Sequence, residues 1–281
     1  AGSFVITYGR RGAAALRALV EDMPVRPTVL GAEPAGDRLP LRRPRIALVE
    51  TFFHDMDAGW TRYLFDSYGI PYRVLRPADF ESLELAREFD VVVFPDASKD
   101  VLSKGKYKRG DRYVVNDFPP EYRAPISKKG LAKLSAFVLS GGTVVSWGGS
   151  TGLFLEGLAS PSSDNGEGET VELPVRDVSE GRGVRVPGAF LAVDFVTDHP
   201  LTWGMPAAGG AFSRGEPVLA TAVPSLDTDR RVVAVYPQRE LLLSGYLEGE
   251  KGLQNTAAEV WVRAGKGQLV LFAFRPQFRG S

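Results

Sequence analysis

The sequence predicts an α/β domain, a mostly parallel sheet flanked by helices with β-rich additions in the C-terminal half. Three observations carry that prediction. Short continuous apolar runs alternate with helical patterns between Arg45 and Trp147, which is how strands buried on both faces and their crossover helices read. Beyond about residue 158 the texture changes to short strands with few helical segments. The composition, 44% hydrophobic and 24% charged over 281 residues, suits a chain that buries a sizeable core.

In chain order, Ser3 to Thr7 reads as a short strand and Gly12 to Asp22 as an Ala/Leu-rich helix, followed by Pro24, Pro27, Pro34, Pro40 and Pro44. Residues 1–44 are therefore expected to be an N-terminal arm or linker, and 45–281 the domain. A start at Ala1 inside a strand-like run is what an excised or processed piece would show, or a chain that has lost its initiator Met. Arg45 to Val49 is a strand, and Asp57 to Tyr68 a helix with Trp60, Leu64 and Phe65 on one face. Tyr72 to Leu75 is a second strand, Glu81 to Phe89 a second helix and Asp90 to Phe94 a third strand. Ser98 to Ser127, rich in charge, Gly and Pro and carrying Lys104, Lys106, Lys108 and Arg109, is expected as a solvated loop, with a lid or anion-binding loop as the alternative. Leu131 to Leu139 is a helix stopped by Gly141 and Gly142. Thr143 to Trp147 is the next strand, with a glycine-rich turn and a short helix through Glu156 after it.

The C-terminal half offers strands at Thr170 to Pro174, Val184 to Val186, Phe190 to Val196, Val218 to Val223, Arg231 to Tyr236 and Leu241 to Leu247. Residues of about 158–200 form a β-rich insertion. The chain closes with Ala257 to Arg263 and Gln268 to Phe274 around Gly265 and Gly267, a hairpin pattern.

Charge and composition exclude several function classes. Thirty-four Lys plus Arg balance thirty-four Asp plus Glu, so the field that gathers nucleic acid or anionic membrane is missing and neither is expected as a partner. The absence of Cys excludes disulfides, thiolate metal sites, iron–sulfur clusters and cysteine nucleophiles. The two histidines, His54 and His199, are far apart in sequence, which argues against a His-rich zinc site. No apolar run approaches the length needed to cross a bilayer, and no cofactor is implied.

In open parallel sheets, ligands bind outside the carboxyl ends of the strands. Glu50, His54 and Asp57 follow the first strand, Asp96 the third, and Gly148, Gly149 and Ser150 the fourth. Together they predict a crevice suited to a small molecule or peptide. Gly148 to Gly152 also fits G-x-S-x-G between strand and helix. A serine-dependent hydrolase would use Ser150 as nucleophile with His199 as base and Asp198 or Asp194 to orient it. The plainer reading is a glycine-rich turn packing strand on helix, with Asp198, His199 and Pro200 as ordinary turn residues. His54, Asp55 and Asp57 could also hold a divalent ion. An aspartate capping the helix that starts there accounts for them more simply, so no metal is assigned. Trp60, Trp147, Trp203 and Trp261 read as core or interface anchors.

Gly141 to Val145 before a turn, and a terminal strand running into Phe274, Arg275, Pro276 and Gln277, resemble the class I glutamine amidotransferase-like fold with its flavodoxin-like layering. In active members a cysteine stands at the strand-to-helix elbow, and the last strand leads to a His-x-Glu. The resemblance therefore marks Gly148, Arg275 and Gln277 as degenerate triad positions. Further blocks, Pro44 to Leu48, Met56 to Tyr63, Tyr68 to Tyr72, Phe89 to Asp96, His199 to Pro206, Leu241 to Tyr246 and Leu271 to Gly280, occur in order. They resemble the amidotransferase-like domain C-terminal to the catalytic domain of bacterial zinc carboxypeptidase-like proteins. Ala1 to Ile6 is similar to the segment joining the two domains, whereas the zinc-binding His-x-x-Glu is missing and the chain stops where the family continues into a closing helix. The resemblance implies a non-catalytic accessory or binding domain whose partner is a catalytic carboxypeptidase-like domain of the parent chain, in a secreted or periplasmic protein.

Overall fold

The structure is a computed structural model that describes residues 4–21, 27–36, 40–53, 55–109, 112–114, 118–159, 170–215 and 217–278. It divides into two units, Ala1–Arg43 and Pro44–Ser281. The first contains helix α1 (Arg10–Glu21), and its residues 4–7, expected as part of a strand, join none. Among the described residues no helix is long and apolar enough to cross a membrane.

The second unit begins with the predicted alternation: β1 (Ile46–Val49), α2 (Met56–Ser67), β2 (Tyr72–Leu75), α3 (Leu85–Glu88) and β3 (Val91–Phe94). Local chemistry sets the boundaries. Asp55 caps α2, its carboxylate accepting from the Ala58 N–H at 3.1 Å. The second helix is shorter than the apolar pattern suggested. Asp79 accepts from the Arg76 N–H at 2.7 Å and fixes a 3-10 turn over Pro77–Glu81, so α-helix starts only at Leu85.

The segment expected as a loop is partly ordered into α4 (Lys99–Lys104), β4 (Tyr107–Arg109) and β5 (Arg112–Val114), the last two forming a hairpin. Ser98 caps α4, and Gly105, at φ +64°, ends it where any Cβ would meet the Arg123 carbonyl at 1.9 Å. Lys104 pairs with Asp100 at 2.6 Å and Lys106 lies over the Tyr113 ring, so two of the four basic residues are engaged within the segment. Next come α5 (Lys128–Leu139), capped by Ser127, and β6 (Thr143–Trp147). The short helix after β6 is a 3-10 turn over Gly148–Leu153.

The remaining strands are β7 (Leu158–Ala159), β8 (Thr170–Val171), β9 (Val175–Asp177), β10 (Arg185–Phe195), β11 (Ala208–Ser213), β12 (Leu219–Thr221), β13 (Thr228–Val235), β14 (Leu242–Glu248), β15 (Ala257–Ala264) and β16 (Gly267–Phe272). The two expected strands at 184–186 and 190–196 are one strand, β10, with a register shift between Arg185 and Gly188 around Pro187, which cannot donate to a ladder. The β15–β16 hairpin forms where the sequence predicts it, although β16 stops at Phe272.

One twelve-stranded sheet follows the order β11-β10-β13-β15-β16-β6-β3-β1-β2, with β9, β12 and β14 branching from it. Its core, β2-β1-β3-β6-β16, is parallel, and the extension through β15, β13, β10 and β11 is antiparallel. Alternation along each strand sends Ala47, Val92, Val144 and Leu269 to one face, packed with Phe80, Phe137 and Phe154 in the larger core. Leu48, Val93 and Trp147 face the other way and form a smaller apolar cluster.

Candidate functional site

β1, β3, β6 and β16 are neighbouring parallel strands, so their carboxyl ends meet at one edge of the sheet. There the chain brings together Asp57 from the first turn of α2, Asp96 from beyond β3, the Gly148–Gly149 elbow after β6, and Arg275 beyond β16. The Arg275 guanidinium is 7% exposed, donating through Nη1 to Asp57 Oδ1 at 2.9 Å and through Nη2 to Asp96 Oδ2 at 2.5 Å. Each carboxylate has a second donor: Trp147 Nε1 reaches Asp57 Oδ2 at 3.2 Å, and the Gly149 N–H reaches Asp96 Oδ1 at 2.7 Å. One cation thus ties three strand ends together through a closed set of charge-assisted hydrogen bonds.

The elbow explains its own glycine. Gly148 sits at φ +63°, and a Cβ there would lie 2.2 Å from Asp96 Oδ1, so only glycine lets the carboxylate reach the next N–H. Gln277 donates from Nε2 to the Asp57 carbonyl at 3.5 Å, and its buried Oε1 has no hydrogen-bond partner among the described residues. Burial raises the Asp57 carboxyl above its ordinary value. Arg275 pulls the other way, and the neighbouring Asp96 charge adds to the rise.

The other predicted residues do different work. Ser150 is fully buried, its hydroxyl donating to the Pro95 carbonyl and accepting from the Ala97 N–H at 2.9 Å. It fastens the β6 elbow to the β3 loop. His199 caps the turn Pro200–Thr202, its Nδ1 accepting from the Leu201 N–H at 3.3 Å, while its ring packs on Trp261. Asp198 pairs with Arg231 at 2.5 Å. No hydrogen bond connects either residue to Ser150. Burial lowers the His199 imidazole, with the Arg231 charge adding to that effect and Asp198 opposing it. Glu50 turns to Arg62 at 3.2 Å and Arg76 at 3.6 Å instead of joining Asp57 and Asp96. His54 lies outside the described residues.

Asp57, Asp96, Gly148 and Gly149 are therefore together, as their places after parallel strands implied. What the residues did not reveal was the partner of the carboxylates. In the sequence Arg275 stands out only as a departure from a triad, and nothing in its neighbourhood points to Asp57. At the two positions after β6 and β16 the chemistry is narrow: Gly148 has no side chain, and the Arg275 guanidinium neither accepts a proton nor attacks, while the Asp57 and Asp96 carboxylates are engaged by their donors.

A scan against protein families gives no match for this sequence, and a search of curated proteins likewise finds none. Solved structures similar in fold include a β-galactosidase from Bacillus circulans sp. alkalophilus, 12% identical, matched over 85% of this chain and 30% of its own with a TM-score of 0.45. A protein described as ThuA-like from Bacteroides uniformis is 11% identical over 86% of both chains, with a TM-score of 0.44. A glutamine amidotransferase from Thermotoga maritima is 12% identical over 83% of this chain and 76% of its own, also at 0.44. The chain spans under a third of the length of the β-galactosidase.

Proposed function

We propose that this chain is a non-catalytic amidotransferase-like accessory module, working beside a zinc carboxypeptidase-like catalytic unit of a parent protein. The observation that carries the non-catalytic reading is the clamp of Arg275 on Asp57 and Asp96. Nucleophile and base act as a unit. Here the elbow has glycine, the position after the last strand has a guanidinium already bound by two carboxylates, and the Ser150 hydroxyl that follows the elbow is buried and bonded to backbone. The attachment to a carboxypeptidase-like unit rests on the ordered sequence blocks from Pro44 to Gly280.

Two measurements test the proposal. A fluorophosphonate probe for activated serines should leave the purified chain unlabelled, and labelling that disappears in Ser150→Ala would overturn the non-catalytic reading. An immunoblot of source cells with antibody to this chain should show a band far larger than 281 residues. A band at the size of the chain would overturn covalent attachment to a catalytic neighbour.

A further inference from the structure

Beside the clamp, bounded mainly by strands of the antiparallel side of the sheet and reached by Arg275 itself, lies a cavity of about 390 Å³. Its walls are aromatic: Phe190 and Phe195 from β10, Phe212 from β11, Phe272 at the end of β16 and Phe274 just beyond it. Phe190 and Phe212 meet edge to face at 5.5 Å, as do Phe272 and Phe274 at 5.2 Å. Leu201 and Met205, each more than 40% exposed, stand where the cavity opens to solvent. The volume falls within the usual range for small-molecule sites.

One carboxyl lies in this apolar wall. Glu259 sits on β15 between Ala234 of β13 and Phe272 of β16, is 4% exposed, and lines the cavity. Its side chain has no hydrogen bond or ion pair among the described residues. That is unusual for a buried carboxyl, since a buried ionised group normally has a partner. The other polar side chains around the cavity are already in use. Thr202 donates to the carbonyls of Val196 and His199, and Arg275 is held by Asp57 and Asp96.

This wall selects a ligand class. An anion would meet Glu259. A sugar needs several polar partners, and the lining offers one. A metal ion needs more ligands than one carboxyl, and no group of three His, Asp or Glu residues among the described residues could hold one. An organic cation with an apolar body suits the wall: its charge pairs with the Glu259 carboxylate, the aromatic rings attract it further, its hydrocarbon fills the remaining space, and the one cation in the lining, Arg275, is already neutralised by Asp57 and Asp96. We infer that the cavity is a binding site for a small organic ammonium ion with an aromatic or branched aliphatic body, with Glu259 as its counter-ion. This inference stands apart from the accessory role above, and either can fail without the other.

The charged and titratable neighbours are few. Among the described residues, Arg275 is the only other ionisable one lining the cavity, and it is paired with Asp57 and Asp96. On the segment after β10, Asp198 pairs with Arg231 and the His199 ring lies on Trp261. Burial alone raises the Glu259 carboxyl to about 7, so near neutrality a proton competes with the ligand.

The test uses 2-phenylethylammonium and its neutral counterpart 2-phenylethanol, titrated into the full chain and followed by ligand-detected NMR. At pH 8 the amine should bind at least tenfold more tightly than the alcohol. From pH 8 to pH 6 the amine affinity should fall about tenfold, the change in ionised fraction for a carboxyl titrating near 7, while that of the alcohol stays constant. Glu259→Gln should abolish the preference for the amine. Equal binding of the two compounds, binding of neither, a pH-independent amine affinity, or a preference that survives in Glu259→Gln would each overturn the assignment. The wild-type comparisons decide the matter even if the variant is poorly folded.

Discussion

Arg275 shows how a buried charge can be indispensable without adding much stability. Desolvating a guanidinium and two carboxylates costs several kcal/mol per ion by general experience, and pairing repays that only when nearly every donor and acceptor is used. Here both carboxylates are doubly satisfied, by Arg275 together with Trp147 or Gly149. Removing the cation alone strands Asp57, which is 1% exposed, beside Asp96. Arg275→Met should therefore lower the unfolding free energy by about 3 kcal/mol or more. The combination of Arg275→Met with Asp57→Asn and Asp96→Asn should recover most of that loss. Urea unfolding of the two variants checks both, and a loss under 1 kcal/mol for Arg275→Met would mean that water or rearrangement replaces the clamp.

At the scale of elements, the parallel core was legible because each of its strands carries its own signal. Val91 to Phe94 is an unbroken apolar run, and α5 is bracketed by Ser127 and by Gly141 and Gly142. The antiparallel extension was less legible. Its strands could be picked out singly, but their union with the parallel core in one sheet depends on non-local pairings such as Leu219 with Ala257 and Asp194 with Val235. The same limit governed the site. The rule of strand ends brought out Asp57, Asp96 and Gly148, yet Arg275 reaches them only because β16 pairs with β6, setting Gln268 beside Thr143. Glu259 left no trace in the pattern, since one acid in a hairpin strand reads as solvent-facing.

The cap of α2 is an element whose contribution can be isolated. The Asp55 carboxyl accepts from both the Ala58 and Thr51 N–H groups, the latter at 2.6 Å, and so joins the β1 loop to the helix start. Asp55→Ala should cost about 1 kcal/mol, or up to about 2 because two donors lose their acceptor, whereas Asp55→Asn should cost much less. Equal losses in thermal unfolding would show that charge, and not capping geometry, supplies the effect. Asp55 also departs from its ordinary range, raised to about 6 chiefly by burial, with the hydrogen bonds from Thr51 and Ala58 opposing that rise.

The molecule as a whole should respond to pH in an uncommon direction. Asp55, Asp57 and Glu259 all have carboxyls raised by burial, Asp55 to about 6 and Glu259 to about 7. A group whose folded value lies above its unfolded value holds more protons in the folded state across the interval between them. Stability falls as pH rises through that interval and stays lower above it. For Glu259 the interval runs from 4.5 to about 7, a contribution on the order of 3 kcal/mol. His199, held below 6.5, acts in the opposite sense: its contribution is complete above 6.5 and is lost as pH falls toward the folded value. It offsets only the acidic part of the trend. Urea midpoints should accordingly be higher near pH 6 than at pH 8. The acid-side advantage should shrink markedly in Glu259→Gln, which buries a neutral amide of nearly the same shape at either pH. Parallel profiles for wild type and Glu259→Gln would show that Glu259 is solvated or paired at neutral pH, and a saturating ammonium ligand should raise the wild-type midpoint at pH 8 more than at pH 6, because it stabilises the ionised form that burial disfavours.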